Sequence, residues 1–196
     1  MKIEGEEIKN FALALIFLTF VWSFPKLNPI YIAISFLIIL ISFVPHELAH
    51  RYFARKFGYV AFFQLWPFGM IIGIILLTIS FGNIKFLAPG AVIIYPIAFR
   101  GGYLISRYIS ARENSIISAS GPIVNIAISI ISSLLFLQTG FLLLRLLAQV
   151  NAWLALFNLL PIMPLDGSKI FNYNFYHWLS LFVVSLVIFL FSTYVA

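Results

Sequence analysis

Long apolar stretches, separated by short polar or proline-rich breaks, dominate the chain. Most of them are long enough to form a helix that crosses the hydrocarbon core of a bilayer, which takes about 20 residues. The stretches lie at residues 11–24, 30–57, 115–137, 141–160 and 178–195. Together with the apolar region 60–99, this pattern predicts an all-α polytopic membrane protein, a bundle of about five to six transmembrane helices.

The second stretch is predicted to be a helix with a kink and a defined end. Pro45 interrupts the apolar run and should bend the helix there, and Gly58 is a suitable C-terminal stop. A helix over 30–57 would be about 42 Å long, more than the ~30 Å core, so one end should project from the membrane. That end is basic, which places it on the cytoplasmic side; the residues are Arg51, Arg55 and Lys56.

Region 60–99 is apolar but rich in proline, glycine, aromatic and β-branched residues. Two interpretations fit it: one crossing helix with a short return, or a membrane-associated β or re-entrant segment. Non-helical backbone at membrane depth must be buried in protein or line a wet cavity. Gly101 and Gly102, which follow, are interpreted as a flexible turn.

Basic residues also predict which segments share a side of the membrane. The segment 100–113 carries Arg100, Arg107 and Arg112 and should be cytoplasmic like 51–56. An even number of crossings, zero or two, must therefore separate them. Two further predicted crossings, at 115–137 and 141–160, return the chain to the same side. The polar break at 158–169 should therefore also face the cytoplasm and meet the end of the second helix.

Composition supports the membrane assignment. Hydrophobic residues make up 63% of the 196 residues and charged residues 9%, whereas a soluble domain is about a quarter charged. The net charge of +6 comes from residues scattered beside apolar segments, which favours orientation in a cell membrane over nucleic-acid binding. The absence of cysteine excludes disulfides, thiol catalysis and thiolate metal ligands. The acidic N-terminus argues against a secretory signal peptide.

His46, Glu47 and His50 form an HExxH sequence near the end of the second stretch. On a helix, residues i and i+4 share a face, so both imidazoles can bind one zinc ion, and Glu47 can act as general base on its water. An unmetallated polar cluster is the alternative. Such groups cost about 2–3 kcal/mol or more at membrane depth, so they are usually functional or paired.

A hydrolytic zinc ion usually has three protein ligands, and the chain offers few candidates for the third. These are Asp166, His177, Glu113 and the glutamates at 4, 6 and 7. Asp166, the only aspartate, follows an apolar helix in a break framed by proline and glycine and is the preferred ligand; alternatively, it is a turn former before glycine. Glu113 is interpreted as a solvated ion pair with Arg112, His177 as an interface residue, and the N-terminal glutamates as a solvated leader.

The chain resembles the site-2 protease family of intramembrane metalloproteases. The resemblance rests on HELAH at 46–50, on GPIVN at 121–125 and on NLLPIMPLDG at 158–167. It departs from the family pattern at Met163, where a proline is usual. The resemblance implies one zinc ion per chain, held by His46, His50 and Asp166, and Glu47 as the residue that activates water.

The resemblance also implies a single membrane-embedded metalloprotease domain over 1–196, with its core at 30–58 and 115–170 and with 60–99 receiving substrate. The expected substrates are single-span membrane proteins, cut toward the cytoplasmic side of a multi-pass enzyme. The family modules PDZ and CBS are not found, so the chain is similar to short archaeal and bacterial members. The oligomeric state is left open.

Two asparagines, Asn125 and Asn158, lie in apolar segments and need hydrogen-bond partners there. Each is a candidate for contacting substrate or the oxyanion, and each can instead tie helices together.

Other function classes remain open at this point. The chain could be a non-catalytic membrane protein, either a metal transporter or an inactive protease homologue that binds a partner. A transporter should carry polar residues across the whole membrane depth, and an inactive homologue should have lost a ligand or the base. A membrane protease of another HExxH type would need a downstream glutamate ligand, for which only Glu113 is available.

Overall fold

The computed structural model describes the backbone of residues 2–100 and 103–194 and the side chains of residues 5–97 and 106–194. The predicted turn at Gly101 and Gly102 lies outside the described residues. Within them the chain forms seven helices and three strands. In order these are α1 (Lys2–Ser23), α2 (Pro29–Lys56), β1 (Tyr59–Leu65), α3 (Pro67–Ile79), β2 (Gly90–Arg100), β3 (Tyr103–Ser106), α4 (Ala111–Thr139), α5 (Leu142–Asn158), α6 (Asp166–Tyr173) and α7 (Phe175–Tyr194).

Three of the described helices, α2, α4 and α7, are long and apolar enough to cross a membrane, with 28, 29 and 20 residues. The apolar helices α3 and α5 are shorter. The helix α2 continues through Pro45, and Gly58 follows its last turn with φ +85°, which confirms the predicted stop. These helices support a polytopic helical membrane protein; a total of five to six crossings stays a prediction.

Region 60–99 is not one crossing helix. It contributes β1, α3 and most of β2, and the 13 residues of α3 extend about 20 Å, less than the ~30 Å core. The strands form an antiparallel sheet in the order β1-β2-β3. The structure therefore corrects the all-α expectation in this region and agrees with the interpretation as strands with a short additional piece.

Side-chain contacts bring the end of α2 and the start of α4 together. Arg107 donates to the carbonyl of Phe57 and pairs with Glu113 at 2.8 Å, while the hydroxyl of Tyr59 donates to the same carboxylate at 2.7 Å. The predicted pair between Glu113 and Arg112 is thus wrong, because Arg107 takes that place. The two helix ends lie side by side, and the even number of crossings between them, zero or two, stays a prediction.

Glu7 corrects the interpretation of the N-terminal glutamates as a solvated leader. It lies on α1 and is only 4% exposed. One carboxylate oxygen accepts from the backbone N–H of Phe63 at 3.0 Å and pairs with Arg51 at 3.2 Å. Glu6 is exposed, as expected for a solvated residue. The helix α1 therefore belongs to the packed structure and contacts both β1 and α2.

Candidate metal centre

Three side chains from two distant segments meet in the interior. His46 and His50 lie one turn apart on α2, and Asp166 is the first residue of α6. The two Nε2 atoms are 3.0 Å apart. Oδ2 of Asp166 lies 3.0 Å from Nε2 of His50 and 3.5 Å from Nε2 of His46. All three residues are buried, so the end of α2 and the break before α6 meet as the topology predicted.

The size of this triangle fits a zinc ion. Zinc–nitrogen and zinc–oxygen bonds of about 2.0–2.2 Å in tetrahedral geometry place the ligand atoms roughly 3.3 Å apart, close to the three distances observed. Two nitrogens and one carboxylate oxygen also leave a fourth position open. Gly121 on α4 keeps the adjacent space free, because a Cβ there would lie 2.4 Å from Nε2 of His50 and 2.6 Å from Nε2 of His46.

Hydrogen bonds at the other ring nitrogens orient both imidazoles. Nδ1 of His46 donates to Oδ1 of Asn125 at 2.5 Å, and Nδ1 of His50 donates to the carbonyl of Ile117 at 2.7 Å. Because both acceptors are oxygens without a proton, each histidine carries its hydrogen on Nδ1. The lone pair of each Nε2 is therefore directed at the centre of the triangle, the arrangement that metal-binding histidines use.

Asp166 is held as a carboxylate. Lys169 lies 3.4 Å from Oδ1, the oxygen that faces away from the histidines. Gly167 allows the close packing of this turn, since a Cβ there would lie 2.2 Å from the carbonyl oxygen of Leu159.

Glu47 lies beside the triangle and is 4% exposed. Its Oε2 has no hydrogen-bond partner among the described residues. A buried carboxylate oxygen without a partner is costly, so such atoms usually have a functional partner that the protein itself does not supply. A water molecule bound at the open fourth position would be such a partner.

These groups border a cavity of about 370 Å³. The lining includes residues 90–94 of β2 together with His46, Glu47, His50 and Asp166. Asn158 and Lys169 also line the cavity. An apolar cavity with a few convergent polar groups is the usual form of a binding site for a small molecule or a chain segment.

The two asparagines singled out in the sequence have different surroundings. Asn158 lines the cavity, and its Nδ2 donates to the carbonyl of Leu154 at 3.0 Å. Asn125 is fully buried, does not line the cavity, and uses its amide to join helices and to hold His46. Its contacts match the helix-tying alternative. Of the other ligand candidates, His177 is exposed and Glu113 belongs to the contact with Arg107.

Two further residues near the site, Asn151 and Lys169, were not among the candidates predicted from the sequence. Asn151 on α5 is fully buried and hydrogen-bonded to Asn125; an amide inside an apolar helix was a signal that could have found it. Lys169 lies three residues after Asp166 and so shares its helix face. The sequence shows this spacing, but it does not show that the Lys169 side chain lies at the cavity.

Comparison with known proteins gives two relatives from Methanocaldococcus jannaschii. One, provisionally named zinc metalloprotease MJ0611, is 34% identical over 182 residues, which cover 90% of this chain and 89% of that protein. The other, zinc metalloprotease MJ0392, is 28% identical over 148 residues, which cover 73% of this chain and 34% of that protein. No protein-family model matches the chain, and no solved structure matches it significantly.

Proposed function

The chain belongs to a family of zinc metalloproteases that resemble site-2 proteases, and from this premise we propose that it hydrolyses peptide bonds of membrane-protein substrates within or at the edge of the bilayer. The observation that carries the proposal is the buried triangle of His46, His50 and Asp166 with the unpartnered oxygen of Glu47 beside it. Ligands, base and an open fourth position are the parts that a hydrolytic zinc site requires.

Each group has a defined part in this proposal. His46, His50 and Asp166 hold one zinc ion, which when bound supplies Lewis-acid activation of the scissile carbonyl and of water. Oε2 of Glu47 accepts the proton of the attacking water and passes it to the leaving amine. Burial of the four side chains keeps bulk water away from these charges and so strengthens their interactions.

The strand β2 offers an edge on which an extended substrate can pair. The N–H of Trp66 donates to the carbonyl of Pro89 at 2.8 Å, so these two residues form a hydrogen-bonded pair. In an antiparallel ladder such pairs alternate with pairs that share no hydrogen bond, whose N–H and C=O groups point outward. Gly90, Val92 and Ile94 therefore direct their N–H and C=O groups away from β1. Among the described strands, β3 covers β2 only from Ile97 onward. Where β2 lines the cavity, the N–H of Val92 faces Glu47, and no other described strand pairs with this edge.

Addition of an extended peptide to this edge would place a backbone carbonyl near the metal centre. A transmembrane substrate satisfies its backbone hydrogen bonds internally, so it must unwind locally before it can pair. The proposed substrates are therefore single-span membrane proteins. The basic ends of α2 and α4 support a multi-pass enzyme of the cell membrane with its site toward the cytoplasm.

The test compares zinc content and cleavage of candidate single-span substrates by the purified protein and two variants. Glu47→Gln should keep its zinc and lose about 10²–10⁴-fold in cleavage rate, because the ligands remain while the base is gone. Asp166→Ala should lose both. Glu6→Gln, an exposed glutamate on α1, is the matched control and should retain both.

Full cleavage by Glu47→Gln would contradict the assignment of Glu47 as the general base. The non-catalytic alternative makes a different prediction. In that case the unmodified protein would bind zinc and its partner but cleave nothing, and Glu47→Gln would bind that partner equally well.

A further inference from the structure

The amide of Asn125 has one orientation fixed by its surroundings. Its Nδ2 donates to the carbonyl of Ser42 at 2.9 Å and to Oδ1 of Asn151 at 2.7 Å. Its Oδ1 accepts from Nδ1 of His46. Both N–H groups and the oxygen are thus used inside the protein, and the residue is 0% exposed.

Asn151 is held just as firmly one helix further away. It is also 0% exposed, and its Nδ2 donates to the hydroxyl of Ser42 at 2.8 Å and to the carbonyl of Leu147 at 2.9 Å. With its donors on these oxygens, Asn151 has only its own Oδ1 to present to Asn125. The pair forms a chain of hydrogen bonds from α5 through α4 to α2.

A reversed Asn125 amide would be costly because of Asn151. Reversal would set the Asn125 oxygen against two acceptor oxygens, the carbonyl of Ser42 and Oδ1 of Asn151, and leave buried groups without partners. It would also place an N–H against Nδ1 of His46. His46 would then have to carry its hydrogen on Nε2, and the lone pair that faces the metal centre would be lost.

We infer that Asn151 is a positioning residue for the metal centre, which sets the orientation of Asn125 and through it the donor state of His46. The inference rests on the proposed zinc site. It adds a residue of α5, outside every recognised motif of the chain, to the groups on which metal affinity depends.

The experiment measures the zinc affinity of the full-length protein in detergent by competition with a chromophoric chelator. Asn151→Leu and Asn151→Ala are made together, so that a folding failure of the larger side chain leaves the test intact. Each should bind zinc about 10-fold more weakly, the lower end of the range for residues behind metal ligands. Ser129→Ala is the matched control, because Ser129 bonds the carbonyl of Ala148 across the same α4–α5 contact without reaching His46.

A second background isolates the orientation effect. In Asn125→Ala no amide faces His46, so no amide orientation remains for Asn151 to set. Adding Asn151→Ala there should change zinc affinity by less than about twofold, against the ~10-fold loss in the unmodified background. The visible spectrum of the Co²⁺-loaded protein should change in Asn151→Ala and not in Ser129→Ala, since it reports ligand geometry.

The outcomes separate the inference from the proposed function. If the unmodified protein binds no zinc, the proposed function fails. If it binds zinc and the Asn151 variants match Ser129→Ala, only the inference is overturned. A loss that persists in the Asn125→Ala background also overturns it, because the effect would not pass through the orientation of Asn125.

Discussion

At the scale of single residues, the GPIVN sequence contributes two backbone effects and one side-chain hydrogen bond. Gly121 leaves room beside the two imidazoles. Pro122 has no N–H, so the carbonyl of Ser118, a residue at the cavity wall, lacks its helical donor. Asn125 holds His46. Three neighbouring positions of α4 thus serve the site without supplying a metal ligand.

Gly121→Ala is therefore expected to abolish zinc binding. The added Cβ would overlap Nε2 of both histidines at 2.4 and 2.6 Å, and α4 cannot retreat without losing its close packing on α2. Zinc content of the purified variant is the measurement. Gly5→Ala, where a Cβ would meet nothing within 4 Å, is the control and should bind zinc normally. Normal zinc content in Gly121→Ala would contradict the fit described above.

Residue types and spacing were enough to propose the metal triangle, because HExxH fixes two ligands on one helix face and the chain offers few acids for the third. They were not enough to find the partner of Asn125. Whether Asn151 meets Asn125, solvent or lipid depends on how α4 and α5 rotate against each other. That rotation is set by packing over both helices and not by any local pattern.

At the scale of elements, the carboxylate of Glu7 connects α1 both to the sheet and to α2. Glu7 occupies the backbone N–H of Phe63, a group on the edge of β1 that faces away from β2. It also pairs with Arg51, next to His50 on α2. This carboxylate therefore fixes the position of the sheet at the cavity relative to the helix that carries the histidines.

Removing the Glu7 contacts should lower the free energy of unfolding. Glu7→Ala leaves the Phe63 N–H and Arg51 without their partner, and such buried losses amount to about 2–4 kcal/mol. The measurement is unfolding in detergent followed by circular dichroism. Glu6→Ala, one residue earlier and exposed, should change the free energy of unfolding by less than about 0.5 kcal/mol. Equal stability of the two variants would show that the Glu7 contacts contribute nothing.

The sequence predicted the long helices well, because a continuous apolar run has few other solutions in a membrane. Region 60–99 left two interpretations, since short apolar runs with aromatic and β-branched residues suit strands and buried helices alike. Glu7 was misassigned for a different reason. Three glutamates in seven residues suggest a solvated segment, and the contact with β1 joins residues far apart in the chain.

At the scale of the whole molecule, the contacts of Arg107 and Tyr59 place the last turn of α2 beside the first turn of α4. The 29 residues of α4 extend about 43 Å, enough to carry its other end across the ~30 Å core. The helix α4 is therefore long enough for its two ends to lie on opposite sides of a membrane.

This arrangement can be tested in a chain that contains no cysteine. Single variants Arg55→Cys and Arg112→Cys should react with a membrane-impermeant maleimide from the same side, which we expect to be the cytoplasmic one. Gln138→Cys, exposed near the end of α4, should react only from the opposite side. Labelling of the first two from different sides would refute the shared orientation of α2 and α4.

The two histidines of the candidate metal centre and Asp166 are separated by more than 100 residues of chain. They are therefore synthesised at different times. Ribosomes add about 5–20 residues per second, so His46 and His50 are made roughly 6–24 s before Asp166. During that interval the nascent chain holds two imidazoles without the carboxylate that completes the proposed site. The proposed site therefore cannot acquire its third ligand until the first 166 residues of the chain have been made.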